Sequence, residues 1–215
     1  MLVGERMSHP VITVTPQMPI TEALNLLRTE HIRRAPVIKN GKMVGIISEK
    51  DLLNAAPSSA SSLSVWEVSY LINKIAVEEV MAKKVFSVSE DTPIEEAARI
   101  MADHKIGGLP VTRGDEVVGM ITETNLFKVF LELMGAREPG VRVTALIPEQ
   151  RGQLARLTQA IAEAGGNFVA FGQFAGESPN SRLLTFKIEG LTEEQVKELV
   201  APHVLEIRDI RTKQV

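Results

Sequence analysis

The sequence predicts an α+β protein in two parts, a duplicated α/β unit followed by a smaller βαββαβ segment. Three observations carry this. The stretch GIISEKD, Gly45 to Asp51, returns as GMITETN, Gly119 to Asn125. The offset of 74 residues between Gly45 and Gly119 also carries Met7 onto Met81, Pro19 onto Pro93, Pro36 onto Pro110 and Leu52 onto Leu126 without a gap, the mark of an internal duplication. Beyond a proline and glycine break from Glu138 to Gly140, periods of two and of 3.6 alternate in the order strand, helix, strand, strand, helix, strand.

Each repeat reads as the same series of elements. In the first, Val11 to Thr15 alternates as a short strand, and Pro19 fits the first turn of a helix carrying Ala23, Leu24 and Leu27. In the second, Thr92, Pro93 and Glu95 supply an N-cap, a proline at the next position and a capping-box acid, for a helix running to about His104. An apolar proline segment follows, Ala35 to Ile38 or Leu109 to Thr112. A turn at Asn40-Gly41 or Gly114-Asp115 then leads into a strand, Met43 to Ile47 or Val117 to Ile121. The hydroxyl and carboxylate positions, Ser48 to Asp51 or Thr122 to Asn125, therefore open a helix just beyond a strand. Free backbone N–H groups and side chains meet an anion or a sugar at such a place.

Between the repeats, Asn54 to Ser62 is small, polar and interrupted by proline, as a surface connection is. Ser64 and Glu67 then make a capping box for a helix with Val65, Val68, Leu71, Ile72 and Ile75 at helical spacing, in which Trp66 and Tyr70 read as packing residues. In the C-terminal part the expected elements are a strand from Val141 to Ile147, a helix from Gln153 to Ala164 ending at Gly165-Gly166, and strands at Phe168 to Phe174 and Leu183 to Ile188. A helix from Thr192 to Val200 and a strand from Val204 to Ile210 complete the series.

The 215 residues suit two cores; 44% hydrophobic and 24% charged residues describe a globular chain. A net charge of −3 gives no general attraction to phosphate backbones, so nucleic acid is not an expected partner. The absence of cysteine excludes disulfides, thiolate metal sites and a cysteine nucleophile. No apolar run is long enough to span a bilayer and no signal-peptide core is present, so the expectation is a cytoplasmic protein with no membrane partner.

The strand, helix, Pro-Val segment and closing glycine, two apolar residues, hydroxyl and Asp or Asn, repeated in register, resemble a CBS-domain pair, or Bateman module, over roughly Met1 to Phe130. From about Val141 the chain is similar to an ACT domain. The resemblance rests on the turn with Glu149, Arg151, Gly152 and Leu154 and on the helix end Ala164-Gly165-Gly166-Asn167. The whole arrangement resembles the AcuB-like acetoin-utilisation accessory proteins. It implies tandem CBS repeats over residues 1–56 and 76–134, joined by a linker and helix over 57–75, and a ferredoxin-like ACT domain over 141–215.

The resemblance implies an adenosine nucleotide, AMP, ADP, ATP or S-adenosylmethionine, in the cleft between repeats. Asp51 would take the ribose hydroxyls, Ser48 a phosphate or sugar oxygen, and Arg33 and Arg34 the phosphates, with adenine against Val14, Ile32, Ala35 and Pro36. In repeat 2, Asn125 replaces the aspartate beside Thr122, an amide that keeps one acceptor but no charge, and Gly107 and Gly108 replace the arginines ahead of Pro110. That contrast predicts one cationic wall, one glycine wall and one principal nucleotide. A plainer reading of the same residues makes Ser48 and Asp51 an N-cap and a first-turn acid, and the arginines surface charge. In the ACT-like part, Arg151, Gly152, Gln153 and Asn167 are the candidate amino-acid effector site, although the turn lacks the family's proline.

No nucleophile with a base, paired carboxylates, metal-ligand cluster or phosphate loop is legible, and His9, His31, His104 and His203 are scattered. The expectation is a non-catalytic regulatory protein that requires no cofactor or metal. It binds a nucleotide as a regulatory ligand, forms a homodimer and acts on its ACT-like domain or a partner enzyme. The alternative is a constitutive homodimeric scaffold with a vestigial cleft.

Overall fold

The computed structural model describes residues 1–55 and 73–213, and these form two compact units, Met1–Leu126 and Phe127–Val215. The inter-repeat helix expected from Ser64 and most of the linker before it lie outside the described residues.

In the first unit, the first repeat consists of α1 (Ile20–Thr29), β1 (Arg34–Lys39), β2 (Lys42–Ser48) and α2 (Glu49–Asn54). The second has α3 (Val77–Val80), β3 (Val88–Ser89), α4 (Ile94–His104), β4 (Gly108–Arg113), β5 (Glu116–Thr122) and α5 (Glu123–Leu133), the last continuing into the second unit. Both hairpins are antiparallel, with Val37 opposite Gly45 and Val111 opposite Gly119, and each carries a register shift after that pair. The first turn places Asn40 at φ 52° and Gly41 at φ 78°, the left-handed pair that an Asn-Gly hairpin turn requires.

Two local expectations are corrected. The strand expected over Val11 to Thr15 reduces to one parallel bridge, Val14 with Val37, because Pro10 and Pro16 flank the segment and cannot donate to a ladder. Pro19 and Pro93 stand as the N-caps of α1 and α4 rather than inside their first turns. Thr92 makes no side-chain cap, and its carbonyl instead accepts from Val3 N–H at 2.9 Å.

That bond belongs to an exchange that the duplication alone did not reveal. The segment opening each repeat lies on the other repeat. Leu2 bridges Pro93 and Ser8 bridges Met120, while in the same register Ala76 bridges Pro19 and Ala82 bridges Ile46. The core of the first repeat, Val14, Ile20, Ala23, Leu27, Ala35, Val37, Ile47 and Leu52, is completed by fully buried Val77 from the second repeat's opening segment, with Ile75, Val80 and Met81 packed against it. Val3, its counterpart, is likewise fully buried. The two straps also explain the glycine of the repeated motif. A Cβ on Gly45 would stand 2.5 Å from Met81 Sδ and 3.0 Å from the Ala82 carbonyl oxygen. One on Gly119 would meet Met7 Sδ and stand 3.0 Å from the Ser8 carbonyl oxygen.

The second unit holds β6 (Gly140–Pro148), α6 (Gln153–Glu163), β7 (Asn167–Ala175), β8 (Ser181–Glu189), α7 (Glu193–Val200) and β9 (Glu206–Lys213). The order is βαββαβ, and the four strands form one antiparallel sheet in the order β7-β8-β6-β9. Alternate residues Val141, Val143, Ala145 and Ile147 of β6 and Leu184, Phe186 and Ile188 of β8 pack with Leu157, Ile161, Val196 and Val200 of the helices. Period-two alternation on two central strands thus meets period-3.6 stripes on two helices, which is why this face closes. Lys187, pointing from β8 to the opposite face, is 3% exposed and donates to the carbonyls of Gly135 and Glu138 at 2.5 and 2.8 Å. It satisfies carbonyls just beyond the C-terminal end of α5, where a cation is favoured.

Three measurements test this packing. Gly45→Ala and Gly119→Ala should each lower stability by about 1–3 kcal/mol in urea titration, because the added methyl meets backbone as well as a flexible thioether. Combining Gly45→Ala with Met81→Ala should cost less than the two single changes added together. Lys187→Met should destabilise by roughly 1–3 kcal/mol through loss of the two charge-assisted bonds to the Gly135 and Glu138 carbonyls.

Candidate functional site

β2 ends and α2 begins at Ser48, so the site positions are also a helix cap. Ser48 N–H and Oγ–H both donate to Asp51 Oδ2, at 2.9 and 2.6 Å, and Asp51 N–H donates back to Ser48 Oγ at 3.3 Å. This is a reciprocal capping box with an aspartate at the third helical position. The plainer reading of these two residues is therefore part of the structure. A carboxylate has about four acceptor positions. Oδ2 uses two, and Oδ1 accepts no hydrogen bond among the described residues, so half-buried Asp51 keeps acceptor capacity and charge beyond its structural task.

Repeat 2 builds the same cap from different atoms. Thr122 N–H and Oγ–H donate to Asn125 Oδ1 at 2.9 and 2.5 Å, and Asn125 N–H donates to Thr122 Oγ at 3.4 Å. The backbone donor fixes which way the amide faces, so its nitrogen takes the place of the unused carboxylate oxygen and donates to Ser8 Oγ at 3.3 Å. The expectation that Asn125 keeps one acceptor is corrected here. Its only oxygen is already saturated, and what it offers outward is a donor.

The contrast between an arginine wall and a glycine wall takes an unexpected form, because Arg34 reaches across to the other repeat. Its Nη1 donates to the Gly108 carbonyl at 3.4 Å. A Cβ on Gly107 would stand 2.7 Å from Arg34 Nη2 and 2.8 Å from Glu123 Oε2, so the two charged side chains share the space those glycines leave. Burial holds the Arg34 guanidinium below the ordinary arginine value, Glu123 and Asp51 act in the opposite direction, and Arg33 adds to the lowering. Arg33 is exposed, and its carbonyl accepts from Glu49 N–H at the start of α2. The two arginines thus divide, one spanning the seam between repeats and one facing solvent.

Of the apolar candidates, Val14 and Ala35 are 1% and 0% exposed, inside the first repeat's core. Their side chains offer no surface to an adenine ring. Pro36, Pro110 and Gly108 are buried as well, while half-buried Ile32 packs on the edge of that core. Val14 and Ala35 are closed in by the strap from the second repeat, whose Val77 joins the same core.

The candidate effector residues of the second unit are not brought together within one chain. Arg151, Gly152 and Gln153 stand at the start of α6 and Asn167 beyond its end, roughly 16 Å apart at the rise of an eleven-residue helix. Gln153 is 7% exposed and engaged, donating to the His203 carbonyl and accepting from Arg156 Nη2 at 2.7 Å. Asn167 Nδ2 donates to Glu189 Oε1 at 2.8 Å. Among the described residues no helix is long and apolar enough to cross a membrane, and no three His, Asp or Glu side chains converge as metal ligands.

The CBS domain family model matches residues 3–58 and 77–132, slightly more than half of the chain. The chain belongs to the CBS-domain family. Its CBS pair is similar to part of the L-aspartate semialdehyde sulfurtransferase of Methanocaldococcus jannaschii, 30% identical over 131 residues, which are 60% of this chain and 23% of that enzyme. The chain thus spans under a quarter of that curated relative's length. Among solved structures, the CBS domain pair of protein MJ0100 in complex with 5′-methylthioadenosine and S-adenosyl-L-methionine is 29% identical with a TM-score of 0.52, covering 64% of this chain and 98% of that one. A candidate acetoin utilization protein (AcuB) of Vibrio cholerae is 31% identical with a TM-score of 0.53, covering 64% of this chain and 96% of that one.

The capping geometry of this CBS pair predicts how substitutions divide. Asp51→Asn should leave the unfolding free energy from urea titration within about 0.5 kcal/mol of the wild type, since Asn125 holds the same cap in repeat 2, whereas Asp51→Ala should cost about 1–2 kcal/mol.

Proposed function

We propose that the chain is a non-catalytic sensor that binds an adenosine ligand at the first repeat, with Asp51 as the acceptor for the ribose hydroxyls. The observation that carries this is Asp51 Oδ1, which accepts no hydrogen bond among the described residues and is a half-buried carboxylate oxygen left over after the helix cap is complete. Its chemistry suits a pair of hydroxyl donors, and hydrogen bonds to a charged acceptor contribute about 1.5–3 kcal/mol each when water is excluded. The likeness to a CBS pair solved with 5′-methylthioadenosine and S-adenosyl-L-methionine supports the ligand class. Ser48 sits at the mouth of the site, Ile32 supplies an apolar edge, and exposed Arg33 is the cation available to a phosphate. Arg34 acts at the seam between repeats, where a ligand near Asp51 alters the field it feels.

On this reading the second unit, with its βαββαβ order and β7-β8-β6-β9 sheet, is a ferredoxin-like, ACT-type module that receives the signal or presents it to a partner enzyme. Signalling requires that the ligand bind one arrangement of the repeats better than another. A second reading, a homodimeric scaffold, is favoured by α5. That helix has no buried residue, and Phe127, Phe130, Leu131 and Leu133 are 68%, 51%, 38% and 57% exposed. An apolar patch of this kind marks an association surface.

Isothermal titration of AMP, ADP, ATP, S-adenosylmethionine and 5′-methylthioadenosine separates the two. The sensor predicts micromolar binding of at least one of them that weakens tenfold or more, ~1.4 kcal/mol, in Asp51→Asn. Absence of heat with all five, together with self-association unaffected by any of them, would replace the sensor with the scaffold.

A further inference from the structure

The two sites share one cap geometry but differ at a strap position that lies 74 residues apart in sequence and at equivalent places in space. Ser8 pairs with Met120 through two backbone bonds of 2.8 and 3.0 Å, and Ala82 pairs with Ile46 through two of 2.9 Å. Met120 and Ile46 are equivalent in the duplication, as are Asn125 and Asp51. The hydroxyl that reaches the Asn125 amide in repeat 2 therefore has a bare methyl as its counterpart beside Asp51 in repeat 1.

This difference decides what each site has left to offer. In repeat 1, Asp51 Oδ2 is taken by Ser48, and Ala82 has no donor to place on Oδ1. In repeat 2, Asn125 Oδ1 is taken by Thr122, and one of the two amide hydrogens is taken by Ser8 Oγ. A ribose diol needs acceptors; among the described residues Asp51 keeps a carboxylate oxygen that accepts no hydrogen bond, whereas the one oxygen of Asn125 already accepts two. Restoring the carboxylate alone does not open repeat 2. The Ser8 hydroxyl, now 3.3 Å from the amide nitrogen, would turn its proton onto the new oxygen.

We propose that the strap residue, Ser8 for one site and Ala82 for the other, selects which half of the CBS pair takes an adenosine ligand. Ser8 closes repeat 2 and Ala82 leaves repeat 1 open. The inference rests on the reading of Asp51 as a ribose acceptor and adds to it a specificity-determining residue outside the repeated motif. It explains how a pair with two equivalent frames becomes a sensor with one site. Both strap residues are exposed, so either side chain can be exchanged without entering a core.

The test is titration of the full chain with AMP and with 5′-methylthioadenosine. The wild type should take about one equivalent of the better probe. Ala82→Ser, which sets a hydroxyl beside Asp51, should weaken it roughly tenfold or more. Asn125→Asp should remain near one equivalent, and Ser8→Ala combined with Asn125→Asp should take a second. Thermal melts of each variant confirm that it is folded before titration.

An Ala82→Ser protein that is folded and binds as the wild type would overturn the proposal. So would a wild type that fills two equal sites, or a folded double variant that still takes one equivalent. A wild type that binds neither probe overturns the nucleotide reading itself. Wild-type binding that Asp51→Asn leaves intact would move the site elsewhere and remove the basis for both.

Discussion

The exchange of opening segments between the repeats is the constraint on which the rest of the first unit depends. Neither repeat closes its own core. The first is completed by Val77 from the second repeat's strap, and Val3 occupies the matching place in the first repeat's strap. Each strap runs against a strand whose glycine, Gly45 or Gly119, leaves room for the strap's methionine and backbone. Close packing of this kind tolerates little added volume. The duplicated sequence therefore folds as one interlocked body, and anything that displaces a strap acts on the neighbouring repeat.

The same interlock sets the chemistry of the candidate site. Ser8 and Ala82 are strap residues that sit beside the helix cap of the other repeat because their backbones bridge Met120 and Ile46. The caps themselves are local devices, three hydrogen bonds over four residues, and they match within a tenth of an ångström in the two repeats. Equal cap geometry thus comes with unequal spare hydrogen-bonding capacity at one position. An aspartate holds the helix and keeps an acceptor, while an asparagine holds it and keeps only donors.

In the second unit the sheet has one dry face and one mixed face. Phe186 and Ile188 lie among the helices, whereas Thr185 and Lys187 of the same strand are buried on the other side, with Lys187 closing the chain after α5. A lysine is rarely this buried unless its ammonium is hydrogen-bonded, and two carbonyls take two of its three donors. α5 itself leaves Phe127 and Phe130 exposed, so its apolar side chains contribute little to the core of the unit.

Much of this was legible in the residues, and the part that was not has a common cause. The Asn40-Gly41 turn, the end of α4 at His104, the helix up to Val200 and the βαββαβ order are governed by groups a few residues apart, so sequence determined them. The duplication also fixed which residues are equivalent, Ser8 with Ala82 included. Tertiary structure alone decided the strand order β7-β8-β6-β9, the crossing of the straps, the reach of Arg34 over Gly107 and the burial of Val14 and Ala35. It also brought Ser8 to Asn125, 117 residues away. Hydrogen-bond capacity is a property of a residue, but which capacity is already used depends on neighbours that only the folded chain supplies.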